Sequence, residues 1–317
     1  MARCGFAQGC LVVECVLICA TCAPGRNGSV SQDHTRSTLQ PATVNPSPGV
    51  FVHLFEWSWA DVAAECEQYL GPNGFEGVQV SPAQEHIQGP AWWTRYQPVT
   101  YNLTSRSGGP SAFADMVKRC KAVGVAVYTD VVINHMAALP SGGTSKGTAG
   151  SVYGSRTFPI YSPPDFHHKP GDTSSNCVLG TDFSNRDVVQ RCDLSGLPDL
   201  DTGAVQPEEY VGNGCVTEFN YPQELLNHFG SEGQLQYLET LGPAWNMRPS
   251  QQAVVFVDNH DLQRKQGSSL TYKDGALYRL AMIFMLAYGY GSPKADGSVK
   301  ATVPALDAMA LVALNVV

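Results

Sequence analysis

With 317 residues, 43% hydrophobic and only 15% charged, the chain is too apolar to be disordered and is sized for one barrel or two ordinary domains. Its formal net charge of −8 argues against a nucleic-acid partner, since neutralising phosphates needs a basic face. No apolar run is long enough to span a bilayer, so a membrane partner is not expected.

In chain order, residues 1–23 read as a secretory signal peptide: Arg3, then the apolar core LVVECVLICA at 11–20, then small residues at Ala20, Cys22 and Ala23. Glu14 interrupts that core, which leaves a misassigned start as the alternative. Residues 24–48, rich in Ser, Thr, Pro and Asn, read as a mobile leader. Five of the 10 cysteines (Cys4, Cys10, Cys15, Cys19, Cys22) would leave with the signal; of the five that stay, one must lack a partner. Asn27-Gly-Ser and Asn102-Leu-Thr are glycan acceptor sequences, which agree with a secreted, extracellular chain.

The first strand is expected at Phe51–Phe55, followed by a helix over Trp59–Leu70 that stops at Gly71-Pro72. A second strand covers Gly77–Pro82, and a Ser-capped helix runs from Ser111 to Val123, before Gly124. The β-branched run Val125–Val132 is a third strand, ending in Asn134 and His135. From Met136 the composition turns to Gly, Ser, Thr and Pro and helical spacing disappears. Glu224–Leu241 and Gly275–Tyr288 again show helical spacing, on either side of the buried strand Ala253–Val257, which ends in Asp258, Asn259, His260 and Asp261. Apolar strands that finish in ionisable groups are how a parallel α/β barrel presents chemistry.

Six stretches carry a resemblance: FVHLFEW at 51–57, GFEGVQVSP at 74–82, WWTRYQP at 92–98, DVVINH at 130–135, LPDLD at 197–201 and FVDNHD at 256–261. In this order they resemble the α-amylase family of glycoside hydrolases, in its animal-type branch, from about Gly49 to Pro293. The resemblance implies a (β/α)8 barrel in two parts, 49–135 and 203–294, interrupted by an irregular calcium-site excursion at 136–202 and followed by an atypical tail at 295–317. It also implies retaining endo-hydrolysis of α-1,4 links in starch, glycogen or malto-oligosaccharides by a monomer. Asp261 matches the family's transition-state-stabilising carboxylate. His135, His260, Tyr96, Gln97, Trp92 and Trp93 match its sugar-binding residues. Asn134, Asp199 and the carbonyl of Gln190 match calcium ligands, Asn259 matches a chloride ligand, and Cys66–Cys120 and Cys177–Cys192 match disulfides, leaving Cys215 over.

The chain departs from the family in one respect that bears on activity. After LPDLDTG it passes to AVQPEEYVGNGCVTEF, which already resembles the sixth strand. The GFRxDAxKH and ExID-type motifs of the fourth and fifth strands, which carry the nucleophile and the acid, have no match anywhere in the sequence. Two βα units amount to several tens of residues. Both arginine partners of the chloride site and one calcium ligand are also without counterparts. The eighth strand is expected to be missing as well, leaving five strands that cannot close an eight-stranded barrel. The expectation is therefore an α-amylase-type chain without hydrolytic activity. The alternatives are a non-catalytic carbohydrate binder and a splice or gene-model product with no function of its own.

Overall fold

The computed structural model describes residues 16–19, 49–138, 143–168, 178–179, 188, 192–194, 196–201, 215–231, 234–265 and 267–296. The expected sites Cys177 and Gln190 lie outside these residues. The chain divides into two compact units. One contains Pro82–Phe113 and Asp130–Val205 with the N-terminal Met1–Ile18; the other contains Cys19–Ser81, Ala114–Thr129 and Gln206–Val317.

The strands are β1 (Val16–Cys19), β2 (Phe51–Leu54), β3 (Gly77–Val80), β4 (Ala126–Val131), β5 (Thr144–Lys146), β6 (Val152–Gly154), β7 (Val178–Leu179), β8 (Asp193–Leu194), β9 (Val216–Thr217), β10 (Ala253–Val255) and β11 (Ser292–Asp296). Six of them form a parallel half-barrel in the order β4-β3-β2-β11-β10-β9. On its outer side β4 is joined by β1, from the N-terminal stretch, and among the described residues no strand from the segment between β4 and β9 enters this sheet.

The eighth position is occupied, which corrects the expectation that its strand is absent. β11 pairs in parallel with β10 through Val254↔Ser292 and with β2 through Ala295↔Val52. Its sequence, SPKAD, hides this role, because a Pro and two charges in five residues do not read as a strand.

Register and pleat give the sheet two unlike faces. Val52, Leu54, Val78, Val80, Val127 and Ala295 share one face, and all are buried. Phe51, His53, Gln79 and Lys294 share the other and are also buried, so that face is polar in part. Lys294 Nζ lies 3.4 Å from Gln79 Oε1 and 5.1 Å above the Phe256 ring. Close packing makes Gly77 obligatory in β3, since a Cβ there would sit 2.4 Å from the Tyr128 ring. Gly77→Ala is expected to lower unfolding stability by about 1–3 kcal/mol, read from the urea midpoint. An unchanged midpoint would refute the close approach.

The helices follow the sequence pattern with three adjustments. Helix α1 (Trp59–Glu65) starts at Ser58, whose hydroxyl accepts from Asp61 N, and continues as a wider π-type turn over Cys66–Leu70. Helix α2 (Pro110–Ala122) begins one residue earlier than its Ser cap suggests, because proline fits the first helical position. It ends at Gly124, which takes φ +81°. Cys66 and Cys120 join the two segments in a disulfide, as the resemblance implies. The single helix expected over Glu224–Leu241 is instead α3 (Asn220–Phe229) and a separate 3-10 segment, Leu235–Thr240. The chain breaks after Gly230, within a Gly-Ser-Glu-Gly stretch that favours no helix. Helix α4 (Ala276–Ala287) lies where expected.

In the other unit the irregular excursion has its own core of Val99, Met136, Ala137, Tyr153, Phe158, Phe166 and Leu200. β5 and β6 pair antiparallel, and β7 and β8 pair parallel. Buried Glu85 pins this region to the loop after β3. Its carboxylate accepts from Thr100 Oγ1 at 2.7 Å, Ala149 N at 2.9 Å and Ser151 N at 3.1 Å.

Candidate functional site

The predicted site residues fall into two clusters, one in each unit. In the half-barrel, the chain leaves β10 through Phe256 and Val257 and reaches Asp258, whose carboxylate accepts from Tyr278 Oη at 3.0 Å and from Gln263 Nε2 at 2.6 Å. Asn259 Oδ1 accepts from Asp261 N and Leu262 N. That amide oxygen therefore shapes the turn that presents Asp261. The Asp261 side chain is 45% exposed, with Oδ2 3.6 Å from His260 Nε2. The His260 ring stacks on Phe55 at 4.4 Å and meets His53 edge-on at 5.5 Å. Arg264 donates to the His260 carbonyl and lies 5.1 Å over the Phe55 ring.

Burial, with lesser contributions from the Lys294 and Arg264 cations, pushes His260 down to about 3. The imidazole is thus neutral at physiological pH and able to exchange hydrogen bonds with hydroxyls. The unfolded chain binds a proton near the ordinary histidine value, but the folded chain does not until much lower pH. Stability from this group is complete above about 6.5 and falls as the pH drops from 6.5 towards 3, by up to about 1.4 kcal/mol per pH unit. His260→Gln is expected to flatten that part of the stability profile in chemical denaturation. An equally steep profile would show that His260 is not the group responsible.

In the other unit, Trp92–Tyr96 forms a 3-10 turn. Trp93 is 42% exposed. Trp92 packs edge-on against Tyr96 at 6.0 Å. Tyr96 itself is buried, and its hydroxyl donates to Asp130 Oδ2 at 2.8 Å. Gln97 Oε1 accepts from Ala138 N, tying the aromatic loop to the start of the excursion.

His135 Nε2 donates to the Tyr96 carbonyl at 2.8 Å, and its Nδ1 lies 3.0 Å from Asn134 Nδ2. The two bonds require an Nε2–H tautomer accepting from the Asn134 amide. Burial holds this imidazole below its ordinary value and so keeps it neutral. Because Asn134 Nδ2 faces His135, Oδ1 faces elsewhere, and it is buried without a hydrogen-bond partner.

Short bridges join three segments here: His135↔Asp199 and Phe166↔Leu200, with Leu200 N donating to Asn134 O and His167 N to Asp199 O. They bring Asn134, Asp199 and His167 together. Burial first, then the negative charges of Asp193 and Asp201, raise Asp199 to about 7 against the opposing pull of Arg156. A carboxylate under such strain fits a cation site. Among the described residues no three His, Cys, Asp or Glu side chains are grouped to hold a metal. A calcium-type site of amide, carbonyl and carboxylate oxygens needs no such group.

The structure brings together His135, Asn134, Asp199 and the Tyr96 loop in one unit, and Asn259, His260 and Asp261 in the other. The sequence reading missed His167, although FHHKPGD lies within the excursion; two histidines on a non-periodic segment gave no face to assign. It also missed Arg156 and Asp193, whose buried pair at 2.5 Å supports this cluster, and Phe55, which carries His260. Cys192 is disulfide-bonded, while Cys215 is a half-buried thiol raised by burial.

No family model matches the chain. Among curated proteins it is 37% identical to the alpha-amylase-related protein of Drosophila yakuba, covering 76% of this chain and 62% of that protein. It is 36% identical to the alpha-amylase-related protein of Drosophila auraria, over 80% of this chain and 66% of the other. The chain thus spans less than two thirds of the length of these relatives. The Drosophila yakuba match extends over 316 residues while using only 76% of 317, so several tens of the relative's residues face no counterpart. Among solved structures, the wild-type alpha-amylase I of Eisenia fetida is 31% identical with a TM-score of 0.70, covering 78% of this chain and 66% of that one. A mutant of that enzyme in complex with maltohexaose matches equally well. The half-barrel, the strand-end residues and these relatives agree: this chain belongs to the α-amylase family of glycoside hydrolases.

Proposed function

We propose that this chain binds malto-oligosaccharides of the starch and glycogen type through the α-amylase site residues it retains, and that it does not hydrolyse them. One observation carries the reading: among the described residues, no strand from the segment between β4 and β9, the third and sixth positions, enters the sheet. The retaining reaction of the family needs a nucleophile and an acid, and the motifs that supply them belong to the missing strands. Asp261 remains, half-exposed next to neutral His260, as a holder of sugar hydroxyls. Trp93 offers an exposed flat face for a sugar ring. The maltohexaose complex of the Eisenia fetida relative supports the ligand class.

Calcium is the expected cation, held by Asn134 Oδ1 and the Asp199 carboxylate, with the carbonyl of Gln190 as a further expected donor. The buried, unbonded Asn134 oxygen supports this. Calcium would supply charge that neutralises Asp199 and fixes the excursion against the end of β4. Chloride has weaker support, since neither arginine partner of its site has a counterpart in the sequence. The Cys66–Cys120 disulfide agrees with a secreted protein from an oxidising compartment.

The test is titration calorimetry of the full chain with maltohexaose, followed by an assay of the same mixture for reducing ends. Heat of binding without new reducing ends is the expected result. New reducing ends would overturn the non-catalytic reading, and absence of binding would overturn the carbohydrate reading.

A further inference from the structure

One buried donor atom lies against the Asp199 carboxylate, and the cation reading just proposed does not use it. His167 Nε2 is 2.8 Å from Asp201 Oδ1, a hydrogen bond in which the ring must donate to the carboxylate. A neutral imidazole then presents a lone pair at Nδ1. That atom is buried, makes no hydrogen bond, and lies 3.1 Å from Asp199 Oδ2. The His167 side chain is only 10% exposed. Two lone-pair atoms at this separation repel unless a positive charge is shared between them. About 3 Å is also the edge length between neighbouring ligands of one first-row metal ion, given metal–ligand bonds of about 2.1 Å at right angles.

The backbone makes the arrangement rigid. His167 N donates to Asp199 O at 2.9 Å, and His167 O accepts from Arg156 Nη1 at 3.0 Å. Asp199 N is held by Asp193 Oδ1 at 2.9 Å. Asn134 is positioned by Leu200 N on its carbonyl and by His135 on its amide nitrogen. A carboxylate hydrogen-bonded to one nitrogen of a histidine whose other nitrogen meets a metal is a recurrent outer-shell device. Asp201 and His167 have that form.

We infer that His167 Nδ1 is a third donor to the cation held by Asn134 Oδ1 and Asp199, with Asp201 as its outer-shell partner. The resulting mixed nitrogen–oxygen set takes a first-row divalent ion such as Mn2+ or Co2+. Imidazole suits such ions, whereas calcium prefers oxygen alone. This inference rests on reading Asn134 and Asp199 as a cation site, and it changes the class of ion that site selects. The competing arrangement is a proton between His167 and Asp199 in place of a metal.

The test uses the full chain with Mn2+ alone, then with calcium as competitor. Electron spin-echo envelope modulation of bound Mn2+ is expected to show 14N coupling from one imidazole, absent in His167→Gln. Mn2+ affinity is expected to fall about 10–100-fold in His167→Gln and about 10-fold in Asp201→Asn, which leaves the ring in place. Calcium affinity should change less than about threefold in His167→Gln, because calcium does not require the nitrogen. Bound Mn2+ without 14N coupling, or coupling that survives His167→Gln, overturns the inference and leaves the calcium reading standing. Nitrogen-coupled Mn2+ that calcium cannot displace sustains the inference and overturns calcium as the cation. Failure to bind either ion overturns both.

Discussion

Incubated with maltohexaose, the chain is expected to release reducing ends at least about a million-fold more slowly than an intact family member. The magnitude follows from how such a site works. The acid protonates the leaving oxygen while the nucleophile attacks the sugar, and the third carboxylate favours the distorted ring. Groups that act as a unit lose nearly the whole rate enhancement when one is removed, and this sequence matches neither the nucleophile motif nor the acid motif. Asp261→Asn should therefore leave the hydrolytic background unchanged. Its effect should appear in binding instead. Removing a charged acceptor from a sugar hydroxyl weakens affinity by about 10–100-fold, the equivalent of 1.5–3 kcal/mol. Trp93→Ala should cost about 5–10-fold through lost ring contact. Calorimetry reads both values. A hydrolysis rate that drops in Asp261→Asn would show that Asp261 still works within a catalytic unit, and the non-catalytic reading would fall.

The parts of the fold that were legible in the sequence have strong local signals. β2, β3, β4 and β10 are short runs rich in apolar or β-branched residues that end at site motifs. α2 is bounded by residues whose backbone preferences fix its ends: Pro110 at the start and Gly124 after it. β11 was illegible because its strand character comes from neighbours on both sides, β10 and β2, and not from its own residues. Helical periodicity continues across Gly230 and Gly233, but two glycines within four residues cost more helix propensity than the apolar spacing supplies, so the helix over 224–241 divides.

The same distinction holds at the site. Asn134, His135, Asp199 and Asp261 stand in motifs, so resemblance locates them. His167 joins them only through pairing among three segments far apart in sequence, around residues 134–136, 165–167 and 198–200. Such pairing leaves no periodic trace in any one segment. Asn259 shows how local geometry assigns atoms: its oxygen accepts from two backbone amides, so only its amide nitrogen can serve an anion. Resemblance names the residue, but the turn it sits in decides which atoms are available.

The second large effect is expected from the ion pair beneath the cation cluster. Arg156 Nη2 lies 2.5 Å from Asp193 Oδ2, and both side chains are 8% exposed. Arg156 also donates to the His167 carbonyl at 3.0 Å and stands 5.3 Å over the Phe166 ring. Asp193 Oδ1 accepts from Asp199 N. Either single truncation, Asp193→Ala or Arg156→Ala, leaves one buried charge uncompensated and is expected to cost about 3–5 kcal/mol. Asp193→Ala adds a stranded Asp199 amide to that loss. Replacing both partners by apolar residues of similar size, Arg156→Met with Asp193→Leu, should recover most of the stability, since it removes two desolvation penalties together with one attraction. The double variant should nevertheless bind divalent cations more weakly than the unaltered chain, because His167 and Asp199 lose the backbone anchors that hold their donors together. Urea midpoints of the three variants, with Mn2+ titrations of those that fold, separate the two roles. Single truncations that leave the midpoint unchanged would show that the pair does not support this unit. A double variant with full cation affinity would show that the anchors do not position the donors.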